Sequence, residues 1–231
     1  MLSSGWRLKM KRMAVCLVVC GLGTGILFSQ SVNLKIGLFV PRMESDLWET
    51  NIKNLTFDKA DMVNVYYAGE YEVFLNRHSS FSIEVGSFTK NIYAEYRDYT
   101  YEDGSPIFQN ISLRLTPIEA NLKYYPLGHR HSVYPFIGAG AAVCSWIYQQ
   151  WGDFINFQDD SINEGFAETR RFGFGFNGRL GLVFRFQSRL ALALEGKYSY
   201  LKGHLSEYFE GFNSLDLGGF TVNASINIYF R

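Results

Sequence analysis

Apolar and polar residues alternate along most of this chain, with a period of two. The last stretch is the clearest: Phe220, Val222, Ala224, Ile226, Ile228 and Phe230 share one face, and Thr221, Asn223, Ser225, Asn227 and Tyr229 the other. Successive side chains of a strand point to opposite sides, so this is a ribbon with one greasy and one polar face. Its length matches the ~9–11 residues of a tilted membrane-spanning strand. Such a strand cannot sit alone in lipid, because its backbone groups need partners along both edges. The pattern therefore predicts a closed barrel, with its other strands visible upstream.

Seven more can be read. The first has Val32, Leu34, Ile36, Leu38 and Val40 against Asn33, Lys35, Gly37 and Phe39, and stops at Pro41. A mixed, charged segment reaches Asp61. The second sets Val63, Val65, Tyr67, Tyr71 and Val73 against Asn64, Tyr66, Glu70 and Glu72, and the third sets Phe81, Ile83 and Val85 against Ser82, Glu84 and Gly86. In the fourth, Ile111, Leu113 and Leu115 oppose Ser112, Arg114 and Thr116. Beyond Pro117 the apolar set moves to even positions, Ile118, Ala120, Leu122 and Tyr124, against Glu119, Asn121 and Lys123. A one-residue bulge at Pro117 accounts for that slip. The fifth runs from Tyr134 to Tyr148. The sixth carries Phe174, Phe176, Leu180, Leu182, Phe184 and Phe186 against Asn177, Arg179 and Arg185, and the seventh Leu190, Leu192, Leu194 and Tyr198 against Glu195 and Lys197. Leu215 and Leu217 hand over to Phe220 across Gly218-Gly219, a second expected bulge. The fold class is all-β: an eight-stranded antiparallel up-and-down transmembrane β-barrel.

Connections alternate long and short. The short ones are Asn76–Ser80, Pro126–Val133 and Gln187–Arg189; Gln149–Arg170 is the longest loop. Short periplasmic turns and long surface loops are the asymmetry of outer-membrane barrels, and eight strands put both termini in the periplasm. Aromatics near strand ends suit two interfacial girdles: Tyr124, Tyr125, Tyr134 and Phe230 low, and Tyr96, Tyr99, Trp146, Tyr148, Tyr198 and Tyr200 high. A soluble lipocalin-like barrel would point its apolar face inward. The Phe set of strand six is too bulky for one small lumen, and the polar stripe of the last strand lacks the Lys and Glu of a wetted face.

Composition adds little to this. The 22 basic and 22 acidic residues cancel, so no nucleic-acid partner is expected, while 17% aromatic content suits an all-β chain. The N-terminus changes the picture more. Arg7, Lys9, Lys11 and Arg12 precede an apolar run from Met13 to Phe28, with Ser29-Gln30-Ser31 at a plausible cut. Residues 1–31 read as a secretory signal peptide and 32–231 as the barrel domain. Cys16 and Cys20 fall in the signal, which leaves Cys144 alone in the mature chain.

Tyr134-Pro135-Phe136-Ile137-Gly138-Ala139-Gly140, the run from Leu192 to Tyr200 and the Phe230-ended strand resemble the eight-stranded outer-membrane β-barrel domains, the broad OmpA, OmpX and OmpW group. The resemblance spans the mature chain and implies the outer membrane of a Gram-negative-type bacterium. It also implies recognition of the C-terminal aromatic by the outer-membrane insertion machinery. Arg231, after that aromatic, departs from the pattern, and no peptidoglycan-binding domain follows the barrel.

The expected lumen is charged: Lys35, Lys90, Arg114, Lys123, Arg179, Arg185 and Lys197 face in with Glu70, Glu72, Glu84, Glu119 and Glu195. Paired, they plug a narrow bore; arranged as a polar path, they would pass ions. In a strand His204 and Ser206 would share a face, as in lipid A deacylase barrels, but the pair falls in the expected loop Leu201–Ser214, and Glu207 and Glu210 come too soon to complete a triad. His129 and His131 lack a visible third ligand and read as solvated turn residues. The loops carry acid (Asp98, Glu102, Asp103, Asp153, Asp159, Asp160, Glu164, Glu168) and aromatics (Trp48, Trp151, Phe154, Phe157, Tyr208, Phe209, Phe212). The sequence thus predicts a monomeric, non-enzymatic barrel, structural or surface-interacting, in contact with outer-membrane lipids and lipopolysaccharide. No catalytic, cofactor-binding or metal residues are expected. The alternatives are a narrow channel for small ions or apolar solutes and, remotely, a lipid A-modifying enzyme.

Overall fold

The computed structural model describes residues 29–156 and 161–230. The expected signal segment lies outside the described residues except for its last three, as do Phe157, Asp159, Asp160 and Arg231.

Strands β1 (Gln30–Pro41), β2 (Asn64–Phe74), β3 (Ser79–Thr100), β4 (Pro106–Tyr124), β5 (Val133–Asn156), β6 (Ser161–Arg185), β7 (Leu190–His204) and β9 (Gly219–Phe230) pair antiparallel with their neighbours, and β9 returns to β1. The short β8 (Ser214–Asp216) extends the β7 edge. The ring of eight is closed. β1 begins two residues before Val32: Gln30 and Ser31 pair with Phe230 and Tyr229.

The greasy face points outward. Leu34, Ile226 and Phe174 are 57%, 50% and 76% exposed, while Asn33 and Asn223, on the other face, are each 1% exposed. Ile36, Ile83, Val85, Ile118, Leu122, Ile137, Leu180 and Val222 continue this apolar belt around the barrel. A soluble barrel would bury such a belt; here it meets the bilayer.

Neither expected bulge exists. Val85↔Ile118 and Phe88↔Leu115 belong to one unbroken register, and Pro117 stays paired with Cys144 on β5. Proline's missing N–H is accommodated where the β3 ladder lapses, opposite Gly86 and Ser87. Likewise Lys202↔Asp216 and Ser199↔Gly219 keep one register across Gly218. The apolar residues change parity because the lumen changes character. In its upper half Ile111, Leu113, Leu115, Leu215 and Leu217 point inward and are buried, and Arg114 is exposed outside.

The outer connections also differ from expectation. Gln149–Arg170 is mostly strand: β5 and β6 pair out to Asn156↔Ser161. With water on both faces there is no reason for the side chains to alternate, so the sequence lost the strand there. The third connection is a tight turn, Tyr101 to Ser105, closed by Tyr101 N–H donating to Ser105 O. The first holds a helix, α1 (Asp46–Asn54), with Asp46 and Glu49 in its first turn and Lys53 in its last, as the helix dipole favours. Met43, at φ 55°, turns the chain inward, and Leu47, Trp48 and Asn51 are buried in the barrel mouth. The girdle holds for Tyr124, Tyr198 and Phe230, which are exposed. Tyr125, Tyr134, Trp146 and Tyr148 instead point inward and are buried.

Candidate functional site

Three layers stack inside the barrel. The floor is aromatic: Phe74, Tyr125, Tyr134, Phe136 and Tyr229 pack with Val183, Ala191 and Ala193. Tyr134 and Tyr229 share a hydroxyl hydrogen bond of 2.7 Å, and Arg185 lies 4.1 Å over the Tyr229 ring. His129, in the turn below, stacks on Phe74, and its Nδ1 donates to the Arg77 carbonyl. It is buried rather than solvated, and burial lowers its pKa. His131 is exposed.

Above the floor lies the charge layer. Glu84 is its hub: Lys35, Lys197 and Arg179 reach it at 2.7, 2.8 and 3.0 Å. Lys197 and Arg179 also hold Glu119, at 2.9 and 2.5 Å. Lys35 bridges to Glu70 and Glu195, and Lys123 to Glu70 and Glu72. Neutral donors take up remaining carboxylate lone pairs: Asn33 on Glu70 and Glu72, Ser82 on Glu70, Ser80 and Tyr125 on Glu72, and Asn177 on Glu119. Each named charged side chain is nearly inaccessible, so the pairing offsets a desolvation cost that an unpaired charge would bear in full. Room for these long chains comes from the glycines of β5: a Cβ on Gly140 would overlap Asn121 Oδ1 and the Ala120 carbonyl.

Of the expected inward charges, Lys35, Lys123, Arg179, Lys197 and the five glutamates converge here. Lys90 sits higher on the inner face, opposite Leu113 and half-buried; Arg185 belongs to the floor; Arg114 faces outward.

The upper layer is apolar. Phe39, Phe88, Ile111, Leu113, Leu115, Cys144, Trp146, Tyr148, Leu201, Leu215 and Leu217 meet Met43, Leu47, Trp48, Leu55 and Met62 from the first connection. Trp48 donates through Nε1 to the Asp216 carbonyl and stacks edge-on against Tyr148. Asn51 Nδ2 donates to the Tyr148 hydroxyl at 2.8 Å. The neighbouring Arg42 clamps Asp216 with Nε and Nη2 at 2.8 and 2.9 Å. That pairing holds the Arg42 pKa above its ordinary value. Between this layer and the charges is a cavity of about 40 Å³, lined by Phe39, Tyr66, Phe88, Cys144, Lys197 and Leu217. It has room for a few waters at ~10–15 Å³ each.

His204 and Ser206 do not form a pair. His204 is exposed at the end of β7, while the Ser206 hydroxyl donates to the Glu168 carbonyl and meets Thr169 Oγ1. At the mouth, a cup of about 220 Å³ opens above Tyr148 between α1, the β3–β4 and β5–β6 hairpins and residues 208–212. Sequence reading missed it, since Gln150 and Phe154 fell in a segment taken for loop.

No protein-family model matches the chain, and no curated protein does. Solved structures do. The outer membrane protein OprG from Pseudomonas aeruginosa superposes with a TM-score of 0.58 at 12% identity, over 88% of this chain and 96% of that one. A major outer membrane protein from Thermus thermophilus gives 0.51 at 9% identity, over 89% and 100%. With the lipid-facing belt and the closed ring, these likenesses establish the fold as an eight-stranded outer-membrane β-barrel.

Proposed function

We propose that this is a non-enzymatic outer-membrane protein of a Gram-negative-type bacterium that works from its outer face, its lumen closed to through-passage. The observation carrying this reading is the three-layer interior, in which aromatic floor, charge layer and apolar cap lie in series. In this reading the short turns and both termini are periplasmic, the β3–β4 and β5–β6 hairpins stand among lipopolysaccharide, and the strand ending in Phe230 is what the insertion machinery recognises. The barrel is a monomer. Planar-bilayer recording tests it: the wild type should be electrically silent, and large regular conductance steps would overturn the closed lumen.

A second reading, passage of small apolar solutes, is favoured by the apolar upper lumen and by the end of the β6–β7 ladder at Phe174↔Lys202. Above that pair, β6 meets the segment after β7 through Ser206, which is hydrogen-bonded to Thr169 and to the Glu168 carbonyl. Solute entry into loaded proteoliposomes, faster than into protein-free ones, would favour this route.

A further inference from the structure

The cup at the mouth has a wall chemistry different from the apolar layer beneath it. Tyr96, Phe154, Tyr208, Phe209 and Phe212 supply aromatic surface, and Asn51, Asn54, Gln109 and Gln150 supply four amides. Among the described residues Glu210 is the one charged member of the lining, which includes no Lys or Arg. Gln150 is 4% exposed, and its Nε2 has no hydrogen-bond partner among the described residues. A buried donor left unmade costs free energy, and this Nε2, itself out of reach of water, gains a partner when the Gln150 side chain turns toward the cup to meet a ligand atom. Tyr208, by contrast, is 69% exposed at the rim and offers an open ring face.

We propose that this cup binds a neutral saccharide ring. The amides supply donors and acceptors in fixed positions. A sugar hydroxyl both donates and accepts, so it can satisfy the Gln150 amide whichever way the amide is turned. The C–H face of a pyranose stacks on an aromatic ring at the rim. With no basic residue and with Glu210 on the wall, the lining disfavours phosphate, sulfate and carboxylate ligands. The volume is below the roughly 300–1,000 Å³ of sites for drug-sized ligands, and matches one ring with its neighbours outside. The proposal rests on the surface-interacting reading, and gives that surface a ligand class.

The test is calorimetric titration of the full barrel, folded in a sugar-free detergent such as lauryldimethylamine oxide, with maltotriose, cellotriose and chitotriose. At least one trisaccharide should bind saturably in the millimolar range or tighter. Gln150→Leu should weaken it about tenfold or more, as expected for loss of one buried hydrogen bond. Tyr208→Ala, at a position 69% exposed, should also weaken it. No saturable binding by any of the three, or wild-type binding in both variants, overturns the proposal. A second arm separates the sources of sugar. Loss of trisaccharide binding in vesicles containing core-bearing lipopolysaccharide assigns the cup to the surrounding leaflet's own sugars; retention assigns it to soluble or host glycans. Binding in micelles does not depend on conductance, so a leaky barrel that binds sugar fails only the closed-lumen reading. A silent barrel that binds none fails only this one.

Discussion

Neutralising the hub of the charge layer should cost less than removing one of its cations. Glu84→Gln removes three charge contacts of 3.0 Å or shorter. No cation is left bare, however: Lys35 keeps Glu70 and Glu195, and both Arg179 and Lys197 keep Glu119. The layer holds four cations (Lys35, Lys123, Arg179, Lys197) and five carboxylates (Glu70, Glu72, Glu84, Glu119, Glu195), so the substitution takes it from a net −1 to balance. Breaking a buried pair costs ~3–5 kcal/mol, and this variant belongs at or below the lower end. Lys197→Met keeps the volume but takes the layer to three cations against five carboxylates. Glu84 and Glu119 then share Arg179, and of the two only Glu84 also keeps Lys35. That variant belongs at or above the upper end.

The double variant restores part of the balance, so its cost should fall short of the sum by at least ~0.5 kcal/mol. Urea unfolding of the barrel in phospholipid vesicles, followed by tryptophan fluorescence and by the heat-dependent shift on gels, gives all three numbers. If Glu84→Gln proves as costly as Lys197→Met, or the two costs simply add, the layer is not one coupled network. On the closed-lumen reading both variants should remain silent in planar bilayers, since the aromatic floor and the apolar cap are left in place. Conductance after a single charge removal would show that the charge layer alone closes the lumen.

Other outcomes follow from the same structure. Ile226→Arg puts a charge on the lipid face and should destabilise the barrel by ~2–4 kcal/mol if it lies near the bilayer midplane. Ser225→Lys, on the inner face, should cost less unless crowding intervenes. A fluorophore at 226 should be quenched by brominated acyl chains more than one at 225, and the reverse order would reject the assignment of faces. His129 is pushed toward its neutral form by burial, so its ring should titrate in NMR spectra below the ordinary ~6.5. Its contribution to stability is then full above pH ~6.5 and falls as the pH drops below that value, levelling once the folded form also protonates. A midpoint at or above 6.5 would contradict the packing of His129 on Phe74. An epitope inserted between β5 and β6 should be reached by antibody on intact cells, and one at Asn76–Ser80 should not; equal labelling of both would reject the orientation.

The parts of the fold legible in the sequence were those where the two faces of a strand meet different solvents. On β9, β7 and the lower parts of β1, β2 and β6, lipid lies outside and charge inside, and the alternation carries directly into the structure. The reading failed wherever that contrast vanished. Ile111, Leu113 and Leu115 lie opposite an apolar cap, so they looked like a lipid-facing set. Since Ile118 and Leu122 face lipid from the other parity, a bulge had to be invented to join the two. Leu215 and Leu217 produced the same false bulge for the same reason. Periodicity reports a difference between faces, and it does not say which face is which.

The same limit explains why the cup was invisible and why the charge layer was not. Lys35, Glu84 and Lys197 stand out because a charge inside a lipid-facing strand has to be paired, and such pairing can be inferred from strand parity alone. Gln150 carries no such mark. It lies beyond the apolar belt, where β5 no longer alternates, and only its place in the wall of the cup, with Phe209 across the same lining, marks it as a buried donor. That position depends on α1 entering the mouth, and α1 enters because Leu47 and Trp48 complete the apolar cap. One buried surface thus packs the upper lumen and also underlies the cup. Replacing Trp48 with Ala should therefore act on both, removing the hydrogen bond to Asp216 and the contact with Tyr148. Truncating a buried aromatic costs ~3–5 kcal/mol, and loosening α1 should weaken saccharide binding in the same variant, with the bilayer still silent on the closed-lumen reading. Trisaccharide affinity unchanged in a folded Trp48→Ala barrel would separate the cup from the cap and refute this coupling.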